Sequence, residues 1–135
     1  NLVNLKMVDL SCSDMFKELP DLSKATDLEV TILYSCSMVK ELTSSFGHQS
    51  KLKFLDVSCG RKLQTILKLP LSVETLDLEN CKSLLTLPKL LMSLKTLDVQ
   101  GCESLQNLPE IPNALKLYMS VATNLFKLYQ SFPCP

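Results

Sequence analysis

The sequence lacks a basic excess: 14 Lys and Arg stand against 14 Asp and Glu over 135 residues. Nucleic-acid backbones are held by surplus cations, so nucleic acid is not expected as the main partner. No apolar run approaches the roughly 18 residues that read as a membrane span. None of the six asparagines lies in N-x-S/T, so there is no N-glycosylation acceptor, which leans away from an extracellular setting. Histidine occurs once, as His48 in the polar connector "GHQSK". A Cys–His pair needs both groups within hydrogen-bond reach, and a lone connector histidine reads as a solvated residue. No paired carboxylates stand in an apolar pocket motif. No catalytic residue, cofactor site or metal site is expected in this chain. The first residue is Asn1 and no signal-like segment follows, so a piece of a longer protein is expected.

What the sequence has is leucine, 29 of them, and a repeat. Five segments align without gaps: 5–19, 28–42, 52–66, 73–87 and 94–108. They share the template L-x-x-L-x-L-x-x-C-x-x-L-x-x-L. The middle strand residue is Leu10, Leu33, Val57, Leu78 and Val99, at spacings of 23, 24, 21 and 21. This is the leucine-rich-repeat pattern. One coil cannot bury its leucines alone, whereas stacked coils bury them in a continuous core. The expected fold is α/β: a right-handed leucine-rich-repeat solenoid, with short parallel strands on the concave face and few or short helices on the convex side. The core should include Leu10, Leu33, Val57, Leu78 and Val99, with Leu55, Leu76, Leu97, Leu84 and Leu105. Connectors 20–27 and 43–51 have room for a helical turn. Residues 89–93 are too few for one and should be extended or 3₁₀. Thr31 stands where an apolar strand residue is usual, a weak point unless its hydroxyl finds a carbonyl.

Residues 1–112 make up about five repeats. Residues 113–135 are a degenerate closing repeat or the start of a post-repeat segment. Aligning 115–129 as a sixth copy puts Tyr118 in an apolar strand slot, Ser120 in the inner slot and Thr123 in the cysteine slot.

Six cysteines, at 12, 36, 59, 81, 102 and 134, raise the question of chemistry. Zinc sites show close pairs such as C-x-x-C, and none occurs. Parallel strands about 4.8 Å apart do not present the Cβ separation near 3.8 Å that a disulfide needs. The spacing follows the repeat instead. Cys36, Cys81 and Cys102 occupy one slot at the bend after the strand, where Ser13 and Gly60 stand in other copies. They read as reduced packing thiols. Cys12 and Cys59 sit one residue earlier and are the more plausible reactive thiols.

The outward strand positions form three features. Lys6, Glu29, Lys53, Glu74 and Lys95 alternate in sign through five coils, a register-fixing ion ladder. Lys116 breaks the alternation. A second row reads Asp9, Ile32, Asp56, Asp77 and Asp98: a hydrated acidic stripe, or one that docks a basic surface. Met7, Val30, Ile32, Tyr34 and Phe54 are apolar and should point outward on the first three coils, a place for partner contact.

Particular phrases carry more than a generic repeat: "FKELPDLSKATDLE" (16–29), "CSMVKELTSSFGHQSKLKFLDVSCGRKL" (36–63) and "LDVQGCESLQNLP" (97–109). Together and in this order they resemble the repeat region of plant intracellular immune receptors of the TIR–nucleotide-binding–leucine-rich-repeat class, over roughly residues 1–112. The segment "SVATNLFKLYQ" (120–130) is weakly similar to the stretch that follows the repeats there. The resemblance implies a protein-recognition and autoinhibitory module in a cytoplasmic or nucleocytoplasmic receptor. Its partners would be a pathogen effector or the receptor's own nucleotide-binding domain. ADP or ATP would bind that missing domain, since no GxxxxGK[ST] is present here. The resemblance implies no NAD-cleaving activity for this chain, which has no TIR domain. Other readings are a cytosolic leucine-rich-repeat scaffold or adaptor, and a truncated, non-functional receptor fragment.

Overall fold

The computed structural model describes residues 2–42, 49–89, 93–110 and 115–118. His48, Ser120, Thr123 and Cys134 lie outside them. After a 3₁₀ turn at Leu2–Asn4 come eight short strands: β1 (Met7–Asp9), β2 (Val30–Ile32), β3 (Glu41–Leu42), β4 (Phe54–Asp56), β5 (Thr65–Ile66), β6 (Thr75–Asp77), β7 (Thr96–Asp98) and β8 (Lys116–Tyr118). Six of them form one parallel sheet in the order β1-β2-β4-β6-β7-β8. The result is a parallel-strand leucine-rich-repeat solenoid of about five turns, with almost no helix among the described residues.

The register is the repeat alignment made physical. Val8, Thr31, Leu55, Leu76, Leu97 and Leu117 stand side by side through all six strands. This row points inward, and Leu55, Leu76 and Leu97 are fully buried. The next inward row, Leu33, Val57, Leu78 and Val99, is equally buried. Leu10 is the exception, only partly buried against the core. Its coil has a neighbour on one side alone among the described residues, so half of its cover is missing. Leu84 and Leu105 close the core from the far side.

Two expectations need correction. The sixth copy is shifted by one residue: Leu97 pairs with Leu117, and Asp98 with Tyr118. Leu117 takes the inward slot, and Tyr118 projects outward, 47% exposed. Lys116 pairs with Thr96 and so stands outside the Lys/Glu row altogether. Apolar content alone could not set this register, because Leu115 and Leu117 both fit a strand slot. The connector 20–27 forms single tight turns instead of a helical turn, with Ala25 N–H donating to the Leu22 carbonyl at 2.9 Å. On that side of the coils β3 and β5 pair in parallel as a two-stranded sheet. A strand there suits chains whose coils are only 21–24 residues long: an extended segment covers the distance in fewer residues than a helix rising 1.5 Å per residue.

Thr31 is fully buried and its Oγ1 has no hydrogen-bond partner. An orphaned buried hydroxyl costs its hydration without recompense. Thr31→Val keeps the β-branched shape and removes the hydroxyl. It should raise the free energy of unfolding by about 1 kcal/mol, read as a higher urea midpoint at unchanged slope. An unchanged or lower midpoint would show that the hydroxyl is satisfied in solution.

Candidate functional site

The strand exits set the geometry of the open face. In each of the first five coils, the third residue beyond the outward strand residue has a left-handed backbone: Cys12 (φ 59), Ser35 (φ 58), Cys59 (φ 58), Asn80 (φ 60) and Gly101 (φ 74). That bend keeps the ladder going. Cys12, Ser35, Cys59 and Asn80 donate their N–H to the carbonyls of Tyr34, Ser58, Glu79 and Gln100 in the next coil, at 2.7–2.9 Å. The aspartates hold the bend. Asp9, Asp56, Asp77 and Asp98 each accept the N–H two residues on, from Ser11, Ser58, Glu79 and Gln100, at 2.8–3.0 Å. Ser11 and Ser58 add their hydroxyls to the same carboxylates. Ile32 replaces this acceptor in the second coil. Reasoning from the sequence missed this structural duty of the row. The signal was there, since an aspartate side chain commonly accepts the backbone N–H two residues on.

The cysteines divide as the repeat requires. Cys36, Cys81 and Cys102 are buried, and their thiols donate to the Leu10, Val57 and Leu78 carbonyls of the preceding coil, each at 3.1 Å. Gly60 interrupts this thiol column and offers no donor. A narrow gap remains beside it, lined by Leu33, Cys36, Val57 and Leu63 and too small for a water molecule. Cys12 is exposed, Cys59 is half-buried, and all five described cysteines are free thiols. Burial pushes the Cys81 and Cys102 thiols up to about 12, and pushes Cys36 up as well. Thiolate is the reactive form. An aromatic disulfide reagent at pH 8 should therefore modify Cys12 first, and Cys36, Cys81 and Cys102 only at the rate of unfolding. Fast modification of Cys81 in the folded chain, located by peptide mapping, would contradict this assignment.

The expected ion ladder forms in part. Glu74 is clasped between Lys53 at 3.3 Å and Lys95 at 2.6 Å. Those two lysines draw the Glu74 carboxyl below its ordinary value. Towards the first coil the backbone stays in register, with Glu29 N–H donating to Lys6 O at 2.8 Å. Among the described residues, however, Glu29 enters no ion pair, and it is Lys51 that pairs, with Asp27 at 2.8 Å. Such exposed pairs add little stability; their use here is to occupy the cations of the open face.

The structure gathers the outward residues into two neighbouring zones. Met7, Val30 and Phe54 stand side by side in register. Ile32 lies between Asp9 and Asp56 in the next row, and Tyr34, 44% exposed, follows at the strand exit. Beyond them Asp56, Asp77 and Asp98 are consecutive partners. The Asp77, Glu79 and Asp98 carboxylate oxygens lie within 4.8 Å of one another. Burial pushes the Asp77 carboxyl up; the Glu79 N–H opposes this, and Asp56, Asp98 and Glu79 add to it by repulsion. A carboxyl raised in the folded state destabilises the fold above its pKa. Asp77→Asn keeps an oxygen acceptor for the Glu79 N–H and removes the charge. It should raise the unfolding free energy at pH 7 slightly, with the gain vanishing as pH falls towards 3.8. Urea titrations across that range check the sign.

The described residues contain no helix long and apolar enough to cross a membrane. No protein-family model matches the chain. Similar stretches do occur in curated proteins of Arabidopsis thaliana. Disease resistance protein RML1B is 50% identical over 54 residues, 40% of this chain and 5% of that protein. Disease resistance protein RPP4 is 40% identical over 83 residues, 59% of this chain and 7% of that protein. Protein SUPPRESSOR OF npr1-1, CONSTITUTIVE 1 is 38% identical over 76 residues, 56% and 5% respectively. The chain thus spans a small part, 5–7%, of the length of these relatives.

Proposed function

We infer that this chain, a leucine-rich-repeat solenoid similar to segments of plant disease resistance proteins, is a protein-recognition module of a plant intracellular immune receptor. It carries no catalysis of its own and works in the cytoplasm. Its partner is a pathogen effector or the receptor's own nucleotide-binding domain, which would also hold any ADP or ATP. One observation carries this reading. The strands of the first five coils turn Val8, Thr31, Leu55, Leu76 and Leu97 into the core, whereas five apolar residues of the first three coils face outward: Met7 and Tyr34 are exposed, and Val30, Ile32 and Phe54 are half-buried. Aromatic residues that keep part of their surface open on a sheet face are a typical protein contact.

The test places Tyr34→Ala and Phe54→Ala in a full-length receptor carrying these repeats. Signalling without an elicitor identifies the contact as an inhibitory one within the receptor. Lost recognition with a quiet resting state identifies it as an effector contact. A receptor indifferent to both changes overturns the reading.

A further inference from the structure

Resting on that reading, the geometry points to the chemistry of the partner: the open face takes an extended segment in which an apolar side chain is followed four residues on by arginine or lysine. Two independent zones define it. The first is the apolar saddle centred on Ile32. Val30 and Tyr34 flank it along the strand, and Phe54 stands beside Val30 in the next coil. The second is the aspartate row. In each aspartate Oδ1 is taken by the local N–H. No described cation pairs with Asp56, Asp77 or Asp98, because Lys53 and Lys95 are both held by Glu74. Among the described residues the row is therefore an anionic strip without a countercharge, directly continuous with an apolar site.

The spacing selects the ligand. Neighbouring strands lie about 4.8 Å apart, so the gap between Asp77 and Asp98, two and a half strands from Ile32, is about 12 Å away. An extended chain laid across the strands rises about 3.3 Å per residue and returns to the same side at every second residue. Position i+4 then falls about 13 Å on. A guanidinium there reaches two carboxylates with its planar fork. A helix would need about eight residues for the same distance.

The experiment uses the full 135-residue chain and fluorescein-labelled synthetic peptides in a Gly-Ser background. One peptide places Phe and Arg four residues apart. Others place them adjacent or eight apart, or replace Phe by Ser or Arg by Glu. Anisotropy titration should show saturable binding that is tightest for the four-residue spacing and weakens with salt. Ile32→Asp, and separately the pair Asp77→Asn with Asp98→Asn, should each weaken it about tenfold. Both changes suit the fold: four other coils carry Asp at the Ile32 position, and Asn retains the turn acceptor. Thermal melts of each variant confirm this. No saturable binding, equal binding at all spacings, preference for the eight-residue spacing, or indifference to both variants overturns the proposal. If the peptides fail while Tyr34→Ala or Phe54→Ala still alters receptor signalling, the recognition reading stands and only this ligand chemistry falls.

Discussion

Leu78→Asp should abolish folding. Leu78 is fully buried in the inner row between Val57 and Val99. Its own N–H donates to the Asp98 carbonyl at 2.8 Å, and its carbonyl accepts the Cys102 thiol at 3.1 Å. A carboxylate there would be an unpaired charge in a leucine core, and among the described residues no lysine or arginine is buried that could meet it. The loss should exceed about 4 kcal/mol, among the largest that single substitutions cause. A domain typically has only about 5–15 kcal/mol to lose. Circular dichroism should show the strand signal gone or the melt shifted below ambient temperature. Leu85→Asp is the control: Leu85 lies in the same coil but is 50% exposed, and its change should cost less than about 1 kcal/mol. A cooperative melt for Leu78→Asp near that of the parent would mean the inner row is not the core.

Gly101→Ala should be the most damaging small substitution. A Cβ at Gly101 would stand 2.2 Å from Asn80 Oδ1 and 3.3 Å from Asn80 Cα. The residue also has φ +74, where an L side chain costs roughly 1–2 kcal/mol before any clash. The Asn80 side chain can swing away but its Cα cannot, so a loss of about 2 kcal/mol or more is expected in urea unfolding. The two causes separate in a double-mutant cycle. Asn80 has φ 60, a conformation glycine adopts freely, so Asn80→Gly alone should be nearly neutral. Combined with Gly101→Ala it should recover the part due to the Oδ1 contact and leave the backbone part. Strict additivity of the two changes would remove the clash from the account.

Two of the five left-handed residues, Asn80 and Gly101, show how much could be read in the chain. Asparagine and glycine are the residues that take positive φ most readily. At the same slot Cys12, Ser35 and Cys59 carry no such mark, and their conformation follows from the coils on which they hydrogen-bond. The aspartates are similar. Their recurrence was plain, but recurrence alone does not distinguish a solvated stripe from four turn acceptors. The ion ladder was legible as alternating charge, yet only its Lys53–Glu74–Lys95 half closes. Side-chain reach and competition, as between Lys51 and Asp27, are not written in the spacing.

By itself the sequence determined the solenoid, its five coils, the inward rows and the buried slot of the repeat cysteines Cys36, Cys81 and Cys102. All of these follow from apolar period two within a strand and one recurring template, which only stacked coils can bury. The tertiary structure decided what depends on neighbours in space. It set the shifted register of the last strand, where Leu117 and not Tyr118 turns inward. It left Thr31 without a partner. It also brought a half-open apolar saddle against an aspartate row whose nearest lysines are already taken. Backbone pairing fixes which residues become neighbours, and a pattern along one chain does not contain the distances between its coils.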